Sequence, residues 1–95
     1  MFVAKVTGSL VATQKVDTMV GHKLLVVEPY RVDPADRKSL VSTGRTFVAV
    51  DTVGAGFHEK VIVVGGSSAR MAEGNKDCPV DSAIIGVIDS VEMKE

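Results

Sequence analysis

The segment from Asp51 to Arg70 leaves almost no room for a helix. Asp51-Thr52-Val53 runs into Gly54-Ala55-Gly56 and Phe57-His58-Glu59. An apolar run follows at Val61-Ile62-Val63-Val64, and then Gly65-Gly66-Ser67-Ser68-Ala69-Arg70. The glycine breaks stand too close together for a helix of ordinary length, and the run between them is β-branched. The segment therefore reads as a strand end, a tight loop, a short strand and a second small-residue turn that ends in arginine.

The rest of the chain follows the same pattern. Phe2 to Thr13 is rich in Val and Thr and reads as a strand, and Gly8 inside it marks a bulge or bend. Gln14 to Gly21 reads as a turn. Lys23 to Glu28 is a second strand, stopped by Pro29. Tyr30 to Arg45 is polar and reads as an exposed, variable excursion with a helical turn near Asp36-Arg37-Lys38. Thr46 to Asp51 and Lys60 to Val64 are a third and a fourth strand. Ala69 to Lys76, ended by Gly74-Asn75, is a loop or a single helical turn. Ala83 to Val91 is the last strand, and its nearly continuous run of Ile84, Ile85, Val87 and Ile88 predicts burial on both faces. Five short strands with bends and little helix predict an all-β fold: a small, partly open, five-stranded OB-like β-barrel with a short helical turn, residues 1–95 forming one domain.

Composition narrows the function. Hydrophobic residues make up 45% of the 95 positions, and mean hydropathy is +0.23. That is high for a small soluble chain and predicts apolar surface covered by other subunits. The net charge of -1 and an aromatic content of 4%, without Trp, speak against nucleic acid as a partner. The single cysteine, Cys78, excludes an internal disulfide and fits a reducing cytosol. Lys5 interrupts the apolar start, so no signal peptide is expected, and no apolar run is long enough to span a membrane.

The motifs that suggest chemistry each fall short. Gly54-Ala55-Gly56 lacks the third glycine of a dinucleotide fingerprint, Glu59 stands there instead, and a strand rather than a helix follows. No cofactor is expected. The loop reads as a tight turn, or as a place where another backbone comes close. Gly65-Gly66-Ser67-Ser68-Ala69 misses the last glycine of a nucleophile elbow, and no helix is expected after it. His22 and His58 are the only histidines available as bases. Together with Cys78 they lack zinc-site spacing, so no metal is expected. Asp51, Asp81 and Asp89 read as turn-capping or exposed carboxylates, and Arg70 as a surface charge or a contact across an interface.

Taken in order, several blocks resemble the EutN/CcmL family, the vertex proteins of bacterial microcompartment shells. These are Ala4-Lys5-Val6-Thr7-Gly8, Ala12-Thr13-Gln14-Lys15, and Gly21-His22-Lys23-Leu24-Leu25-Val26-Val27. They continue with Ala49-Val50-Asp51-Thr52-Val53-Gly54-Ala55-Gly56, Val61-Ile62-Val63-Val64 and Gly66-Ser67-Ser68-Ala69-Arg70, and close with Pro79-Val80-Asp81 and Ile84-Ile85-Gly86-Val87-Ile88-Asp89. The resemblance implies an OB-like barrel and a non-catalytic homopentamer. That ring would plug five-fold corners of a shell tiled by hexagonal proteins, in the bacterial cytoplasm.

On that reading Gly54, Ala55 and Gly56 are candidates for the axial region, with Ser67, Ser68 or the Gly65-Gly66 turn as the alternative, and Ser67, Ser68 and Arg70 are candidates for subunit contacts. A bulky residue at position 55 would weaken the ring and spare the barrel. His58 stands where the family is expected to carry a small residue. The Tyr30–Arg45 segment diverges and is expected to face neighbouring tiles. The resemblance leaves open a carboxysome or a catabolic metabolosome. Rival readings are an OB-fold module for single-stranded nucleic acid or oligosaccharide, and a small enzyme using Ser67 with His58.

Overall fold

The computed structural model describes residues 1–11, 23–73 and 81–93; of the side chains on its helix, those of Ser67, Arg70, Met71 and Glu73 are not described. His22, Cys78, Gly74-Asn75 and the turn expected over Gln14 to Gly21 lie outside the described residues. The elements are β1 (Phe2–Leu10), β2 (Lys23–Val32), β3 (Leu40–Ser42), β4 (Phe47–Asp51), β5 (Lys60–Gly65), α1 (Gly66–Glu73) and β6 (Ser82–Ile88).

Five strands close on themselves in the order β1-β5-β6-β4-β2, and β2 returns to pair with β1. This is a closed OB-type barrel rather than a partly open one. All ladders of the ring are antiparallel except β4–β6, a parallel seam of two residue pairs, Val50 with Ala83 and Asp51 with Ile84. The barrel is narrow because strand number sets diameter. Its interior is accordingly built from small and medium side chains: Ala4, Val6, Leu25, Val27, Ala49, Ala55, Val61, Val63 and Ile84. Phe2 packs against this core and stacks in tilted fashion on Phe47, with ring centroids 6.0 Å apart.

Two bulges give the strands their curvature. Val6 pairs with Val27 but Gly8 pairs with Val26, so Thr7 is the extra residue, as Gly8 led one to expect. A second shift leaves Ile85 extra between the pairs Ile62–Gly86 and Val63–Ile84. Ala83 and Ile84, consecutive on the strand, face opposite sides and serve two different cores. Ile84 enters the barrel, while Ala83 joins Val50, Val64 and Ala69 outside it. That outer cluster is the seat of α1, which has two turns rather than one and begins directly after β5.

Three expectations are corrected. Pro29 does not stop β2. It lies where β2 changes neighbours, after the last β4 pair at Val27–Phe47 and before the first β3 pair at Tyr30–Ser42. Its missing N–H falls between two ladders, where proline is tolerated. Its carbonyl accepts the backbone N–H (3.1 Å) and the hydroxyl (2.9 Å) of Thr43. Tyr30 to Arg45 is consequently a hairpin rather than a loop excursion. Its tip holds one helical turn, with the Arg37 N–H donating to the Asp33 carbonyl at 2.8 Å. Asp36 accepts from the amides of Lys38 and Ser39, and from the Ser39 hydroxyl, which together hold its carboxyl below the usual range. The β6 run, finally, is not buried on both faces: Ile85 and Val87 are each 37% exposed.

Ile84 is fully buried. Ile84→Ala is expected to cost about 3 kcal/mol, as large-to-small core changes do. Urea denaturation checks this, and a loss below about 1 kcal/mol would place Ile84 outside the core.

Candidate functional site

The loop between β4 and β5 is organised by one carboxylate. The Asp51 side chain is 1% exposed. Its Oδ1 accepts the backbone N–H groups of Val53 and Gly54, both at 3.1 Å, and its Oδ2 accepts that of Ala55 at 2.9 Å. The turn-capping reading of Asp51 is thus correct. Lys23 Nζ lies 3.7 Å from Oδ2 and donates to the Ala55 carbonyl at 3.2 Å. This cation caps the far side of the loop, and the sequence reading had assigned it no role.

Gly54 has φ +80°, and a Cβ on it would meet nothing within 4 Å. Backbone angle therefore explains this glycine, not crowding within the chain. Ala55 is 1% exposed and belongs to the barrel core. The expectation that a bulky residue at 55 would spare the barrel is therefore wrong, because that side chain plugs the barrel end. Gly56 is exposed, and its N–H donates to the Glu59 carboxylate.

Beyond Gly56 the loop docks on β1. The His58 N–H donates to the Val6 carbonyl at 2.8 Å, and the Val6 N–H donates to the Glu59 carbonyl at 3.0 Å. Two residues thus face one, in the manner of a bulge whose first residue is left-handed. His58 supplies that conformation, with φ +69°. A small residue would fit this position better for backbone reasons alone. Under the loop lies a cavity of ≈ 200 Å³ lined by Val6, Ser9, Lys23, Leu25, Ala55, Gly56 and Phe57.

The second glycine turn sits at the other end of β5. Gly66 has φ +62°, and its N–H donates to the Asp81 carbonyl at 3.0 Å. Ser68 is exposed and Ala69 fully buried. A helix does follow this turn, so one ground against a nucleophile elbow falls away. Another arises, because His58 precedes β5 while Ser67 and Ser68 follow it. The six residues of β5 separate them, which is about 20 Å of strand. Among the described residues no three of His, Cys, Asp and Glu converge as a metal site, and no helix is long and apolar enough to cross a membrane.

Large apolar side chains remain on the outside. Leu10, Val48, Val53, Phe57, Ile85 and Val87 are between 37% and 59% exposed. These features define a small OB-type barrel that keeps large apolar side chains on its outside. The chain belongs to the EutN/CcmL family: the family described as "Ethanolamine utilisation protein EutN/carboxysome" matches residues 1–89.

The relatives agree with this assignment. The chain is 44% identical to the bacterial microcompartment shell vertex protein GrpN of Rhodospirillum rubrum, covering 97% of both chains. It is 40% identical to the carboxysome shell vertex protein CcmL of a Synechocystis species, covering 98% of this chain and 87% of that one. The solved structure of the GrpN pentameric microcompartment shell protein from Rhodospirillum rubrum superimposes with a TM-score of 0.83 at 42% identity, over 97% of this chain and 98% of that one.

Asp51→Ala removes the acceptor shared by three amides, those of the exposed residues Val53 and Gly54 and the part-buried one of Ala55. It is expected to cost about 3 kcal/mol in thermal or urea melts. His58→Gly relaxes a left-handed residue and is expected to be neutral or to stabilise by up to about 1 kcal/mol.

Proposed function

We propose that this chain is a structural, non-catalytic subunit that closes into a homopentamer and caps the five-fold corners of a bacterial microcompartment shell in the bacterial cytoplasm. The observation that carries the reading is the set of large apolar side chains that the barrel leaves outside its own core. A monomer gains nothing from exposing them. A head-to-tail ring needs two different patches per subunit, and burying apolar side chains there supplies the association energy.

Membership of a family whose relatives bear vertex-protein names supports the same reading. The outer rim of the ring meets hexagonal shell proteins of the same microcompartment. Relatives come from carboxysomes and from other microcompartments alike, so both kinds of shell fit. Gly54 and Gly56 lie toward the five-fold axis, where small, exposed loop residues let five copies approach. Ser67, Ser68 and Arg70 contribute to subunit contacts. No cofactor or nucleic acid takes part.

Native mass spectrometry tests the assembly. Five chains of 10.0 kDa give a ring of about 50 kDa. A stable monomer at micromolar concentration would sink the reading. The axial assignment is tested by Gly56→Trp, because Gly56 is exposed and has no left-handed φ. A folded barrel that no longer forms rings is the expected outcome. Normal rings from that variant would move the loop away from the axis.

A further inference from the structure

The outer cluster beneath α1 lies astride the parallel seam. Leu24 and Val50 reach it from β2 and β4, while Val64, Ala69 and Ala83 reach it from β5, α1 and β6. Val50, Val64, Ala69 and Ala83 are all buried. Ala69 seats the helix, since Ser68 and Ala72 on either side of it are exposed.

The ladders sort these residues into two groups. Leu24 stands opposite Val50 in the β2–β4 ladder. Val64 stands opposite Ala83 in the β5–β6 ladder. The Gly66 N–H, donating to the Asp81 carbonyl at 3.0 Å, ties the start of α1 to the chain just before β6. β5, α1 and β6 therefore form one block, and β2 and β4 belong to another. β1 joins the blocks on one side, because it pairs with both β5 and β2. On the other side the join is the seam.

The two joins are unequal. The seam has two residue pairs. The β1–β5 ladder has four, β2–β4 has five, and β1–β2 and β5–β6 have six each. Parallel pairs are also slightly weaker than antiparallel ones. Thr52 adds its hydroxyl (2.6 Å) and its N–H (3.3 Å), both donated to the Ile84 carbonyl. Breaking the seam leaves every other ladder whole, as the open antiparallel sheet β6-β5-β1-β2-β4. Native chains open first where least is lost.

We infer that β5, α1 and β6 form a flap: the barrel opens between β4 and β6, with the helix travelling on β6, while the other ladders stay formed. Val50 is the side chain that must leave the outer cluster when the flap moves. Val64 stays packed, because it lies beyond Ala83 and moves with it. The opening uncovers Ala49 and Ile84, core residues on the two strands of the seam. It belongs to a single chain and does not depend on the pentamer.

Native-state hydrogen exchange of the full chain, in urea below its unfolding transition, tests the flap. The Thr52 N–H reports the seam. The Leu25 N–H, on a strand paired with both β1 and β4, reports complete unfolding. A substitution lowers an amide's protection when the contact it removes is lost in the opening that exposes that amide. Val50→Ala is expected to lower the protection of Thr52 and of Leu25 alike, by about tenfold. Val64→Ala is expected to lower that of Leu25 by a similar factor and to leave Thr52 unchanged. Should Val50→Ala fail to fold by circular dichroism, Val50→Thr, which keeps the side-chain shape, takes its place in the same comparison. Equal losses at Thr52 and Leu25 in both variants would mean that the seam parts only on complete unfolding. No loss at Thr52 in either would mean that its bond frays by itself. Each of these two results overturns the flap.

Discussion

Everything at the β4–β5 end of the molecule hangs on the Asp51 carboxylate. A loop that closes a barrel must turn sharply and still satisfy its amides, because water cannot reach all of them. Asp51 takes three of those amides at once and Lys23 ties down the Ala55 carbonyl from the other side. The Ala55 methyl can then enter the core. The glycines on either side have separate duties: Gly54 supplies a backbone angle and Gly56 faces outward. A motif that resembles a phosphate cradle is in fact an internally satisfied plug.

The same economy runs through the sheet. The narrow interior admits only Ala, Val, Leu and Ile, so each strand contributes little apolar area to the core. Neighbouring residues of β6 point to opposite faces, so Ile84 serves the inner core and Ala83 the outer cluster under α1. What remains of the apolar inventory stays outside. That surplus, more than any pocket or polar cluster, distinguishes the chain from a self-sufficient domain.

Much of this was legible in the residues. The strand-forming runs, the bulge at Gly8 and the capping role of Asp51 follow from local rules that tertiary contacts did not override. The misses have identifiable causes. Pro29 signals a strand end unless it falls at a change of neighbours, and a single sequence does not show which strands lie alongside. The run from Ile84 to Ile88 looks buried because apolar character predicts burial without saying by which chain. Ala55 looked like part of an exposed loop because its flanking glycines mask a core position. The pairing of Lys23 with Asp51 joins residues distant in sequence. The Asp51-Thr52-Val53-Gly54 spacing, an aspartate ahead of a left-handed glycine, was the available hint that this carboxylate builds the turn.

The two-pair seam between β4 and β6 has a mechanical meaning. A closed sheet is a hoop, and a hoop yields at its thinnest joint. Here every other ladder of the barrel is longer, and among the described residues the joint is backed by Thr52 on one side and α1 on the other. Any neighbour seated against the ends of β4 and β6 would brace that joint from outside. The rigidity of such a subunit would then belong to the assembly rather than to the single chain.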